Sequence, residues 1–364
     1  MKRILSVLSV LWMAFSCVYP YETPELSEEA NQYLVVDGSI IVGKYASLSV
    51  HHMNETGNLL PDDWWVEDNT GVQYRPAHVS ENVDLSKAPS DRSYRMVIKS
   101  EGKTYSSSLE RGLDQPVIQD VSFESIENEV YVNVSLSDGA EGTGFVALSY
   151  EEIYKFHTQF VHKFDVDPEI WAAVKLPQPD SSLYYCWRYL KPTQETLVDM
   201  THLGGIAKDY PVTFFPRGSE KNHGDYTIKV SARSVSDAEY RFQKNIENVS
   251  GRGNNLFTPN PGEIAGNVRC EEDVTVPVFG YVTLSLASTM EAHLDGRYYL
   301  PVDADKSGFL DLKQEEIPHY FLHLQYWPLF EEKNDNMSTT IFWGPKRCID
   351  CVADGGSLNK PVFR

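Results

Sequence analysis

Hydrophobic and polar positions alternate with a period of two along much of this chain, which is the pattern of half-buried β-strands. Tyr33-Leu34-Val35-Val36 reads as a strand, Asp37-Gly38 as a turn signal, and Ser39-Ile40-Ile41-Val42 as a second run. From Tyr45 to His51 the residues alternate, with Ser47, Ser49 and His51 on one face and Leu48 and Val50 on the other. Tyr94 to Ile98 predicts a strand, and Glu101-Gly102-Lys103 a hairpin turn into Thr104-Tyr105-Ser106. Short strands punctuated by turns over residues 32–113 predict an immunoglobulin-like β-sandwich. Asp114-Gln115-Pro116 then marks a boundary.

Residues 114–364 predict a larger β-rich domain. Strands are expected at Val117 to Phe123, Val130 to Val134, Gly142 to Ile153, Leu183 to Trp187, Tyr226 to Val230 and Pro277 to Ser288. One amphipathic helix stands out. Ser236-Asp237-Ala238-Glu239 has the form of a capping box, in which hydroxyl and carboxylate satisfy each other's orphan N–H groups. Ala238, Phe242, Ile246 and Val249 share one face, expected to pack on a sheet, and Gly251 supplies the stop. Asp335 to Phe342 reads as a loop. The fold class is therefore mainly β.

The first sixteen residues follow another pattern. Met1-Lys2-Arg3 precedes an apolar run from Ile4 to Phe15, broken only by Ser6 and Ser9. This is the layout of a secretory signal and is too short for a membrane span. It ends at Ala14-Phe15-Ser16-Cys17, small residues before a cysteine at the edge of the apolar run. Residues 1–16 are accordingly a lipoprotein signal peptide, and Cys17 carries the lipid that anchors the protein in the membrane. Residues 17–31, rich in Pro and Glu, read as the tether.

Charge narrows the partners. With 32 basic against 52 acidic residues, the 364-residue chain carries −20, and loss of the leader makes it more acidic still. Nucleic acid, whose backbone demands Lys and Arg, is disfavoured. Beyond Cys17 the cysteines are Cys186, Cys270, Cys348 and Cys351. In an exported protein these read as disulfide partners, in any of three connectivities. The Cys348-x-x-Cys351 spacing also suits a redox pair or half a zinc site, but no helix start in a βαβ unit and no second Cys-x-x-Cys accompanies it.

Candidate chemistry is sparse. G-x-S-x-G, H-E-x-x-H, P-loop and G-x-G-x-x-G signatures are absent. Trp64-Trp65 suits sugar stacking, although one core and one half-exposed tryptophan is the simpler reading. His51 and His52 are strand neighbours that point apart. Asp62-Asp63 and Glu151-Glu152 are expected to be solvated turn residues rather than catalytic pairs. Asp303-Ala304-Asp305-Lys306-Ser307-Gly308-Phe309-Leu310-Asp311 places Asp303, Asp305, Ser307 and Asp311 as oxygen ligands around a glycine, as in a calcium loop. The twelfth position, however, is Gln314 instead of a bidentate Glu, so an acidic surface turn outweighs Ca2+ as the expectation.

The order of further segments is distinctive. Tyr184-Tyr185-Cys186-Trp187, Tyr226-Thr227-Ile228-Lys229-Val230 and Ala238-Glu239-Tyr240 are followed by Leu256-Phe257-Thr258-Pro259-Asn260-Pro261. Gly266-Asn267-Val268-Arg269-Cys270, Pro277-Val278-Phe279-Gly280-Tyr281 and Cys348-Ile349-Asp350-Cys351 complete the series. This arrangement resembles a family of Bacteroidota lipoproteins classed as a domain of unknown function. Genes of that family commonly lie beside those of TonB-dependent receptors. The resemblance thus implies a non-catalytic, outer-membrane binding or accessory partner of a TonB-dependent barrel, and makes the four cysteines framework residues. A structural envelope protein without a small ligand and an unrecognised hydrolase are the alternative readings.

Overall fold

The computed structural model describes residues 33–53, 57–139, 144–249, 266–299, 307–334 and 338–363. The leader, Cys17 and the tether lie outside them, as do Asp303 and Asp305. The fold is mainly β.

The first strands are β1 (Leu34–Ile41), β2 (Tyr45–His52), β3 (Asp63–Asp68), β4 (Gln73–Tyr74), β5 (Val83–Asp84), β6 (Ser93–Ser100), β7 (Lys103–Ser107) and β8 (Glu110–Arg111). Asp37-Gly38 is no turn, because β1 runs straight through it. Gly38 is there for close approach: a Cβ would lie 2.9 Å from Val282 Cγ2 and 3.1 Å from Met96 Sδ. The turn comes later, at Gly43, where Lys44 N donates to Ile41 O at 3.0 Å. The alternation in β2 holds, with Ala46 and Val50 buried. β6 and β7 form the expected hairpin, Ser100 opposite Lys103.

The next strands are β9 (Val117–Ile126), β10 (Glu129–Ser137), β11 (Phe145–His157), β12 (His162–Asp167), β13 (Ala172–Asp180), β14 (Tyr185–Leu190), β15 (Thr196–Asp199), β16 (Ile206–Pro216) and β17 (Tyr226–Val235). Helix α1 (Asp237–Val249) follows. Then come β18 (Val268–Cys270), β19 (Val278–Ser285), β20 (Ala287–Leu294), β21 (Leu310–Asp311), α2 (Ile317–Leu324), β22 (Tyr326–Lys333) and β23 (Thr339–Pro345). β23 takes in Thr339 to Phe342, the second half of the stretch expected to be a loop.

Two sandwiches result. In the first, the sheet β19-β1-β2-β5 faces the sheet β18-β7-β6-β3-β4, around a core that includes Val36, Ile40, Trp64, Tyr94, Met96, Val268, Cys270 and Val282. Its sequence boundary at residue 113 therefore needs correction. β19 pairs in parallel with β1, and β18 pairs with β7, so residues from beyond 266 finish the sandwich. Gly280 makes the joint possible: its φ is 95°, and a Cβ there would meet Val36 O at 1.9 Å. Asn267 brackets the same strand, accepting from Val282 N and donating to Val282 O, both at 2.8 Å.

The second sandwich packs β16-β10-β9 on β14-β11-β17-β20, with β15 also on β11, around Val132, Leu148, Phe156, Tyr226, Ile228 and Val230. A smaller lobe gathers β12-β13, β21-β23-β22 and α2 around Val166, Ile317 and Trp343.

Helix α1 departs from the sequence expectation. Ser236 Oγ does accept from Glu239 N at 3.1 Å, half of a capping box. The Glu239 carboxylate does not return the bond; it is buried and takes Arg233 Nη1 at 2.6 Å instead. The apolar stripe is only partly seated. Phe242 packs on Tyr281, with ring centroids 4.9 Å apart, whereas Ala238 and Ile246 are exposed.

Candidate functional site

The seam between the sandwiches opens into a cleft of 590 Å³, within the range of small-molecule sites. Its floor is the outer face of the central sheet in the second sandwich. Registration there puts Ser149 opposite Ser231 and Ser231 opposite Thr289, a row of hydroxyls across β11, β17 and β20. One residue pair along, Glu151 faces Lys229; one pair the other way, Arg233 faces Ala147 and Ala287. Alternation explains the arrangement: Ile228, Val230 and Ala232 turn into the core while Lys229, Ser231 and Arg233 turn outward. The β1–β2 turn supplies the opposing wall with Ile41, Lys44 and Tyr45, and the β14–β15 connection adds Lys191, Pro192, Thr193 and Glu195.

Cations crowd this space. Glu151 is engaged by Tyr189 OH at 3.0 Å, Lys229 Nζ at 3.3 Å and Lys191 Nζ at 3.5 Å. Lys44 projects from the other sandwich, and among the described residues no ion pair engages its ammonium. Burial, and then the charge of Lys229, push its pKa below the usual lysine range. At the back of the cleft Arg233 is clamped between Glu239 and Glu195, whose oxygens accept from its Nε at 3.1 and 3.0 Å. Burial disfavours that guanidinium, but the two carboxylates outweigh it and hold the pKa above the ordinary arginine value.

Glu239 and Glu195 share Arg233. Burial raises the pKa of Glu239 even though Arg233 opposes the shift. Burial likewise raises Asp37, with His51 opposing and Glu195 adding, and raises Glu110, with a hydrogen bond from Asn267 opposing. β1, β8, the β14–β15 connection and α1 thus bring Asp37, Glu110, Glu195 and Glu239 to the seam, and β17 brings Arg233.

Of the sequence candidates Glu151 lines the cleft, and the other described ones fall elsewhere. Glu151 and Glu152 are buried strand residues rather than solvated turn residues, and they point to opposite faces, so they form no catalytic pair. Glu152 accepts from Lys221 Nζ at 2.9 and 2.7 Å and from Tyr226 OH at 2.6 Å. Trp64 and Trp65 are both buried, contrary to the expectation of one half-exposed ring: Trp64 Nε1 donates to Val79 O at 2.9 Å, and Arg75 covers Trp65 at 4.2 Å. Cys186 is bonded to Cys351. Cys270 and Cys348 are free thiols, one buried in the first sandwich and the other half-buried. The expectation of four disulfide-bonded cysteines is corrected accordingly, and Cys348 and Cys351 are not bonded to each other. Ser307 is exposed and Asp311 lies in the short strand β21; among the described residues no cluster of His, Cys, Asp or Glu is arranged to hold a metal ion. No described helix is long and apolar enough to cross a membrane.

Lys44, Lys191, Lys229 and Arg233 were not singled out by sequence. The one local signal for them is the polar half of the alternation in β17. Lys44 and Lys191 sit in connections and carry no such signal.

A comparison with curated proteins finds no match. The model of a family described as a domain of unknown function, DUF4249, matches residues 19–291, which span both sandwiches as far as β20 and leave β21 to β23, α2 and Cys351 outside. That match covers well over half of the chain, so the protein belongs to the DUF4249 family.

Proposed function

We propose that this protein is a non-catalytic binding module of the outer membrane. It is lipid-anchored through Cys17, works beside a TonB-dependent barrel, and holds its ligand in the cleft between the sandwiches. The state of Glu151 carries the reading. This cleft acid, two residues along β11 from Ser149, is held by a tyrosine and two lysines, so it shapes the site and is not free to act as a general base. The lipobox-like Ala14-Phe15-Ser16-Cys17 supports the anchor. Anchor and tether would keep the cleft near a barrel mouth at high effective concentration, so even a weak contact is well occupied.

Gentle detergent extraction of the tagged native protein, followed by identification of what stays bound, tests the partnership. A stoichiometric TonB-dependent barrel is the expected result. A protein that comes away alone overturns the transporter part of the proposal.

A further inference from the structure

We propose that the ligand of this cleft is a small organic anion, its charged group seated between Lys44 and Lys229 and its polar body laid along Ser149, Ser231 and Thr289. This rests on the reading of the cleft as a binding site and adds the chemical class of its occupant.

Three observations lead to it. The chain as a whole is strongly acidic, at −20, yet Lys44, Lys191, Lys229 and Arg233 line this cleft against two lining carboxylates, Glu151 and Glu195. A local cationic surplus in an acidic protein runs against the general field and selects for a negative guest. Next, Lys44 reaches half-buried into the cleft from the opposite sandwich and lines it together with Lys229, which sits 3.3 Å from Glu151. Two ammonium groups held together away from bulk water repel each other, and an anion between them turns that repulsion into two charge-assisted hydrogen bonds. Finally, the hydroxyl row crosses three adjacent strands, with successive groups about 5 Å apart. Hydroxyls at that spacing donate to or accept from a polar skeleton without adding charge.

The test uses the full chain in detergent, with citrate as the carboxylate probe, inorganic pyrophosphate as the phosphate probe and maltotriose as the uncharged comparison. Binding is measured by titration calorimetry, and the location by hydrogen exchange of β11, β17 and β20. The expected result is saturable binding of citrate or pyrophosphate that protects these strands, with the better of the two identifying the anionic group. Lys44→Arg should retain it. Lys44→Gln should weaken it at least about tenfold with an unchanged Tm, the size expected for losing one charge-assisted bond. Equal binding by Lys44→Gln overturns the proposal. Protection of the strands by maltotriose and by neither anion overturns the anion while leaving the cleft a binding site. Protection by none of the three probes overturns both.

Discussion

Replacing Arg233 by Met removes the cation that Glu239 and Glu195 share. The side chain of Arg233 is 8% exposed and that of Glu239 is 1% exposed, so the ion pair between them is almost wholly desolvated. Breaking such a pair by removing one partner costs about 3–5 kcal/mol, because the other charge stays buried without compensation. Glu195 is 34% exposed, and water screens its share, which puts the expected loss near the low end, about 3 kcal/mol. At about 2–4 °C per kcal/mol for a body of this size, Tm should fall by roughly 6–12 °C at pH 7.5.

The loss should depend on pH in a defined direction. Glu239, Asp37 and Glu110 have carboxyl pKa values above those of the unfolded chain. Ionising such groups weakens the fold above the unfolded pKa, and that penalty is relieved as pH falls through the raised folded value. Without Arg233 the pKa of Glu239 rises further, so the deficit at pH 5 should be clearly smaller than at pH 7.5. Thermal unfolding followed by circular dichroism at both pH values reads the effect, and adding Glu239→Gln should recover part of it. A loss under about 1 kcal/mol at pH 7.5, or one that does not change with pH, would refute the argument.

Three further outcomes are expected. Gly38→Ala should lower the urea midpoint by the equivalent of about 1–3 kcal/mol, since the new methyl overlaps Val282 and Met96; an unchanged midpoint would show that those side chains simply move aside. Cys351→Ser should cost about 2–5 kcal/mol, because it opens a cross-link spanning 165 residues, and reductant should then lower the native protein to the level of the variant without affecting the variant itself. Cys17→Ala should move the protein from the membrane fraction to the soluble fraction, and retention on membranes at high salt would contradict a lipid anchor.

The strands were legible where one face is buried and the other wet. In β2 and β10 the buried positions follow the alternation, Asn133 on the polar side of β10 being the exception. The Glu101-Gly102 hairpin was readable from turn chemistry alone. Asp37-Gly38 misled because glycine serves two ends, and the sequence does not show whether one marks a turn or a place where another side chain must pass close by. Glu239 misled for a similar reason: the spacing of a capping box is right, but a buried arginine six residues earlier, on β17, competes for the carboxylate and wins. The boundary at residue 113 misled because β18 and β19 return from a distant part of the chain, and strand pairing between remote segments leaves no local trace. The cleft was invisible for the same cause. Its two halves come from different sandwiches, and only the polar side of β17 hinted at its chemistry.

The parallel pairing of β1 with β19 also constrains how the protein folds. Leu34 to Ile41 lie near the start of the described residues, yet their partners, Val278 to Ser285, follow only after β9 to β17 of the second sandwich. Closing so long a loop is slow and entropically costly. Until it closes, β1 presents an unpaired edge next to an apolar face, the kind of surface that invites wrong pairing with other chains. The second sandwich, by contrast, draws most of its central sheet from neighbouring stretches, β11 to β17, and can assemble first. It then delivers β18 and β19 to the waiting strands. A fragment ending near residue 113 would lack both of these strands, so the first sandwich has no route to its finished form except through the second.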